Sequence, residues 1–169
     1  MLLLTLRPTR KGAFTLLETV TAVGMLGTFI AILIVVSSNV LGMLRTSKEN
    51  ISASQALQQR AEELRMGTWT QVTDAQKIAT NVLADSTPSG QALGGLVETV
   101  VVSPHPAKSG FTPAKVVRKN GAATVQSSNP ALQNERLVRV DMTLTWNGHP
   151  EKRNRTRATT VLIANGSSN

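Results

Sequence analysis

The chain has 169 residues, a formal net charge of +8 and no cysteine. That length suits one globular domain plus an appended element, and the missing cysteines exclude a disulfide framework, a thiolate metal site and a cysteine nucleophile. The positive balance points to acidic partners, although Arg7, Arg10 and Lys11 are gathered ahead of the first apolar run.

From Thr19 through Leu44 no residue is charged, and this stretch exceeds the about 20 residues a membrane-spanning helix requires. Its polar intrusions are small (Thr21, Thr28, Ser37, Ser38, Asn39) and can be satisfied by the helix backbone. Gly24 and Gly27 weaken the helix but permit close approach of a second one. Basic residues ahead of the run place the N-terminus in the cytoplasm and the remainder outside. A removable secretory signal has an apolar core of only about 7–15 residues, so this run is too long for one. A plain single-pass anchor accounts for everything except Glu18, whose carboxylate costs roughly 2.5–3.5 kcal/mol at mid-bilayer and less near the interface.

The residues around Glu18 carry a resemblance. Gly12-Ala13-Phe14-Thr15-Leu16-Leu17-Glu18, with a short basic leader before it and a long apolar run after it, resembles the processing signature of type IV pilins and type II secretion pseudopilins. The resemblance implies that a membrane prepilin peptidase cuts between Ala13 and Phe14 and methylates Phe14. It also implies that Glu18 pairs with the Phe14 amine of a neighbouring subunit during filament assembly. The family usually has glycine where Ala13 stands, and a cut after Gly12 would move Glu18 out of the family spacing. An unpaired amine and an unpaired carboxylate are both costly in an apolar medium, and each offsets the other. The competing reading puts Glu18 at headgroup level, favoured by the helix dipole. The partners implied are other pilin or pseudopilin subunits, the peptidase, an inner-membrane assembly platform and membrane lipid. The location implied is the bacterial inner membrane, then a filament in the periplasm or at the cell surface.

Beyond Arg45, the residues Ile51, Ala53, Ala56, Leu57, Ala61 and Leu64 recur at near-helical spacing. The helix is therefore expected to continue with one buried face, ending at Met66 with Gly67 as its C-cap. A helix from Phe14 to Arg65 would run roughly 78 Å at about 1.5 Å per residue. A short helix is expected around Asp74 to Leu83, and a strand from Leu96 to Val102 ended by Pro104 and Pro106. The stretch from His105 to Pro130 reads as a variable loop region with short strands at Lys115 to Arg118 and Ala123 to Gln126. Leu137 to Trp146 alternates strictly, Asn147-Gly148 supplies a turn signal, and a second strand follows from about Arg155 to Ala164. Val140 to Trp146 (V-D-M-T-L-T-W), with the basic segment and last strand after it, and Ala61 to Trp69 (A-E-E-L-R-M-G-T-W) also resemble, loosely, minor pilins of the PilV-like type. The organisation expected is leader 1–13, transmembrane or filament-core helix 14–44, amphipathic continuation 45–66, and head 67–169. The fold class is α+β: a long N-terminal helix packed on a small antiparallel sheet.

His105 and His149 stand in loop contexts without ligand-spaced neighbours, and no phosphate loop or nucleophile elbow is present. The chain reads as a non-enzyme with no cofactor and no metal. Lys152, Arg153, Arg155 and Arg157 form a basic run whose arginines share one face in a strand. That run is a candidate patch for DNA phosphates or anionic polysaccharide. With no Tyr, three Phe and two Trp, base-stacking side chains are scarce, which favours a solvated or edge-protecting face. A filament subunit, a DNA-binding receptor in such a filament, and an anchored domain that never polymerises are the three functional readings.

Overall fold

The computed structural model describes residues 15–149 and 153–166. The chain divides into two compact units, Met1–Leu41 and Gly42–Asn169.

The first unit holds the start of helix α1, which spans Leu16–Met66. Thr15 caps it: the Glu18 amide donates to Thr15 Oγ1 at 3.3 Å and to the Thr15 carbonyl at 3.0 Å. The small hydroxyls turn inward on their own backbone, with Thr21 bonding the Glu18 carbonyl, Thr28 that of Met25 and Ser38 that of Val35. No backbone acceptor has to leave the helix to serve them, which suits a segment in apolar surroundings.

In the second unit the remainder of α1 buries Ala56, Leu57, Ala61 and Leu64 in the main core over an antiparallel sheet, and Ala53 in a smaller cluster with Leu93 and Trp146. Leu57 and Leu64 are nearly closed off from solvent, and each contributes about 1.5–3 kcal/mol by burial. Gly67 follows the helix, yet its φ lies outside the left-handed region. It therefore ends α1 without the αL cap expected of it. Two short helices follow, α2 (Trp69–Thr73) and α3 (Ala75–Lys77), the second continuing as a π-turn over Ile78–Val82. Asp74 Oδ1 caps α3 by accepting from the Gln76 amide at 2.9 Å.

The sheet contains β1 (Val97–Pro104), β2 (Ala114–Lys119), β3 (Ala122–Ser127), β4 (Leu137–Gly148) and β5 (Arg153–Ala164), in the order β3-β2-β1-β4-β5. Alternation decides which face is covered. Val100 and Val102, Ala114 and Val116, and Val138, Val140, Met142, Leu144 and Trp146 are buried on the helix side, while Thr99, Val101, Thr143 and Thr145 lie on the more open face. The α+β architecture expected from the sequence, a helix packed on an antiparallel sheet, is present.

The two short strands expected within 105–130 are present as β2 and β3, each slightly longer than expected. Two local expectations are corrected. β1 continues through Pro104, which pairs with Val138 at the end of the ladder, so the proline closes the strand from inside. Asn147-Gly148 is not the turn: Asn147 pairs with Asn154 and Gly148 with Arg153 inside the β4–β5 ladder. The Asn-Gly pair that does make a two-residue turn is Asn120-Gly121, with φ of 52° and 85°, the signs a type I′ hairpin requires.

Candidate functional sites

Of the residues implicated in processing, Gly12, Ala13 and Phe14 lie outside the described residues, as does Lys152 of the basic run. Glu18 lies at the third position of α1, after Thr15. Thr15-Leu16-Leu17-Glu18 has the spacing of a capping box, but only half of it forms. Thr15 accepts from the Glu18 amide, while the Glu18 carboxylate makes no ion pair among the described residues. Around it the first unit is apolar and open. Leu16 is 84% exposed, Leu17 73%, Val23 70% and Phe29 60%. A Cβ placed on Gly24 or Gly27 would meet nothing within 4 Å, so the chain's own packing does not require glycine at either position. By length and composition α1 can cross a membrane.

Arg153, Arg155 and Arg157 do share a face, as alternation requires, and the register shows which one. They stand opposite Gly148, Trp146 and Leu144, on the helix side of the sheet. Arg155 reaches α1: its Nη2 donates to Thr46 Oγ1 at 3.3 Å and to the His149 carbonyl at 2.8 Å, and its Nη1 lies 3.7 Å from Glu49 Oε2. The His149 amide donates to Glu49 Oε1 at 3.1 Å. Arg157 Nη1 donates to the Asn50 carbonyl at 3.0 Å. Gly148 makes room for this latch, since a Cβ there would collide with Nε and Cδ of Arg155. Two of the three arginines proposed for anion binding are thus occupied in tying an edge strand to α1.

The third grouping was missed by sequence reasoning. Glu98 of β1 is 1% exposed and sits between Arg60 of α1, 5% exposed, and Arg118 of β2, 8% exposed. Arg60 Nε and Nη2 lie 3.2 Å from the two Glu98 oxygens, and Arg118 Nη1 lies 3.4 Å from Oε2. Arg60 Nη1 also donates to Glu63 Oε2 at 2.8 Å, and its terminal nitrogens to the carbonyls of Val82 and Asp85. Arg118 Nη1 donates to Ser86 Oγ at 2.6 Å. Burial pulls the Arg60 pKa down, but hydrogen bonds and charge from Glu98, then Glu63, outweigh it and leave it above the ordinary arginine value. The signal was in the phase of the pattern: Arg60 falls in the stripe of Ala53, Ala56, Leu57, Ala61 and Leu64, Glu98 in phase with Val100, and Arg118 in phase with Val116. Each charge stands where an apolar residue is expected. Within the cluster Arg118 Nε alone is buried without a hydrogen-bond partner; the other contacts join α1, β1, β2 and the 82–86 loop.

Among the described residues no group of three or more His, Cys, Asp or Glu side chains could hold a metal ion. No protein-family model, curated protein or solved structure matches this chain.

Proposed function

We propose that this chain is a type IV pilin-like subunit, a minor pilin or pseudopilin. In this reading it is held in the membrane by the start of α1, cut by prepilin peptidase between Ala13 and Phe14, and assembled into a filament through Glu18. The observation that carries the reading is the Gly12 to Glu18 signature directly before the exposed, uncharged stretch of α1 from Thr19 to Leu44. Two features support it. The Glu18 carboxylate has no ionic partner among the described residues, so a neighbour's amine would find it available. Gly24 and Gly27 are open rather than packed, which suits helix-to-helix contact between copies. Its work is then structural: anchoring, packing in a filament core and display of the head.

The test is the mature N-terminus, measured by mass spectrometry with and without a prepilin peptidase. An N-methylated Phe14 start that depends on the peptidase is the expected result. A Met1 start unaffected by the peptidase would overturn the reading.

One observation favours the plain anchor as a second reading: Thr15 and Glu18 form half a capping box, a local use for an acid at this position. Glu18→Ala separates the two, being silent for an anchor and blocking incorporation for a filament subunit. A DNA-binding receptor gains no support from Arg155 and Arg157, which are engaged with α1.

A further inference from the structure

Arg118 offers more hydrogen-bond donors than its own head accepts. Its Nη1 is shared between Ser86 Oγ at 2.6 Å and Glu98 Oε2 at 3.4 Å. Its Nε is buried without a hydrogen-bond partner, and Nη2 donates to no acceptor among the described residues. Nε–H and one Nη–H project in parallel from one edge of a planar guanidinium, the fork that matches the two oxygens of a carboxylate. Arg60 displays that edge in its matched form: its Nε and Nη2 each lie 3.2 Å from a different oxygen of Glu98. Glu98 is thereby committed to Arg60, and Arg118 holds only the longer, shared contact with Oε2. At 8% exposure Arg118 gains little from water, so a single long ionic contact leaves much of its desolvation cost uncompensated.

Arg118 also walls a cleft of about 290 Å3 in the second unit. Ser86 and the 3₁₀ turn Gly90–Ala92 form one side of it. The Asn120-Gly121 turn, which follows β2 two residues beyond Arg118, forms another. Leu93 is buried and Leu96 half-buried, giving the cleft an apolar flank, while Gln91 and Asn120 are exposed and bring carboxamides to its rim. A buried cation, an apolar flank and a few polar groups at the mouth are what a site for a small charged ligand requires.

We propose that this cleft binds a small carboxylate, taken side-on by Nε and Nη2 of Arg118 with its tail against Leu93 and Leu96. Charge selects a monoanion. Glu98 already lies 3.4 Å from the same guanidinium and repels a second full negative charge, which disfavours sulfate and phosphate dianions. One carboxylate, by contrast, gives each buried arginine a carboxylate of its own. A free short-chain acid and the C-terminus of another polypeptide present the same planar pair of oxygens. The site lies within the second unit, so it depends on neither the membrane anchor nor filament assembly.

The experiment follows the Arg118 Nε–H signal and the backbone amides of Gln91 and Asn120 by NMR in the full chain held in mild detergent. Sodium propionate is titrated at constant ionic strength. All three signals are expected to shift with one apparent Kd on the order of 1 mM, inside the ceiling for a ligand of about five heavy atoms. In R118K, whose ammonium keeps the charge but lacks the fork, the two amides should report binding weakened at least about tenfold, the loss of one charge-assisted hydrogen bond. Gln91→Glu leaves the buried cluster untouched and sets a like charge at the mouth. It should weaken propionate about fivefold, the effect of one charge about 4 Å away in water. N-acetylglycine distinguishes the sources: binding at least as tight as propionate assigns a chain terminus, weaker binding a free short-chain acid. Sulfate acting on the same signals as tightly as propionate overturns the proposal, as does wild-type affinity in a folded R118K. So does the lack of a saturable shift at about 100 mM propionate, a hundredfold above the expected Kd. Should R118K melt early, Q91E decides alone, and an affinity equal to wild type in that variant overturns the site.

Discussion

Replacing Glu98 by alanine leaves Arg60 and Arg118 facing each other across the space that the carboxylate occupied. Both guanidiniums are at least nine-tenths buried, and removing one partner of a buried ion pair costs about 3–5 kcal/mol because the remaining charge is uncompensated. Arg60 keeps Glu63 and the carbonyls of Val82 and Asp85, which holds the expectation to the lower half of that range. Arg118 keeps only Ser86. A domain has about 5–15 kcal/mol in total, so a loss of about 3 kcal/mol lowers the melting temperature by roughly 10 °C. Trp146 is 2% exposed, in a small cluster with Ala53 and Leu93 on the same sheet, and reports unfolding by fluorescence in the full chain held in mild detergent. Adding R118M to E98A should recover part of the loss by removing the charge left without a carboxylate. An E98A variant melting within about 2 °C of wild type would show that the three side chains are solvated and refute the assignment of a joining role.

Arg60→Lys should cost about 1.5–3 kcal/mol, because one ammonium cannot serve Glu98, Glu63 and two carbonyls at once; the same thermal melt measures it. The raised pKa of Arg60 means that its contribution is fully present below the unfolded arginine value and is lost only as pH climbs past the folded one. Melts between pH 6 and pH 10 should therefore show no slope from this residue, and an R60M variant should show the same pH profile shape as wild type. Gly148→Ala forces Arg155 aside and should speed amide exchange at His149 without unfolding the sheet, by about 1–2 kcal/mol of local stability. Gly121→Ala places a side chain at a φ of 85° and should cost about 1 kcal/mol or more through strain. On the proposed filament reading, Glu18→Ala should leave membrane insertion intact but lower incorporation into filaments on the order of a hundredfold, since an amine would be left unpaired in an apolar core; co-purification with filaments measures it.

Periodicity made most of the architecture legible. The 3.6-residue stripe from Ala53 to Leu64 and the strict alternation from Val138 to Trp146 are long, and each residue reinforces the same answer. The turn at Asn147-Gly148 failed for the opposite reason. A dipeptide is a local signal, and the sequence contains three of the same kind, at 120–121, 147–148 and 165–166; which becomes the turn depends on what faces it. Gly148 lies under the Arg155 side chain, a contact that exists only once β5 has folded back to α1. The buried cluster was invisible because charges are ordinarily assigned to solvent, and only their phase within apolar patterns at Arg60, Glu98 and Arg118 marks them. The middle strands were short and rich in Gly, Ser and Asn nearby, and their place in the sheet order is a long-range pairing that no local pattern carries.

The arginines of β5 show why residue type alone leaves function open. An alternating arginine run on an edge strand fits three roles: binding phosphate, preventing edge-to-edge pairing, or fastening the strand to its own core. The sequence distinguishes the first from the second by the scarcity of aromatic residues, but it has no means of seeing the third. Register supplies that means. Once Gly148 pairs with Arg153 and Trp146 with Arg155, the arginines must face α1, and the acceptors waiting there, Thr46, Glu49 and the Asn50 carbonyl, lie on consecutive turns of one helix face. A strand at the sheet edge lacks one neighbour, and the latch supplies attachment through side chains in place of the missing ladder. Charge reversal across Arg153, Arg155 and Arg157 would therefore loosen the edge strand whatever the patch binds. A loss of DNA affinity in that variant carries meaning only when the melting temperature is unchanged.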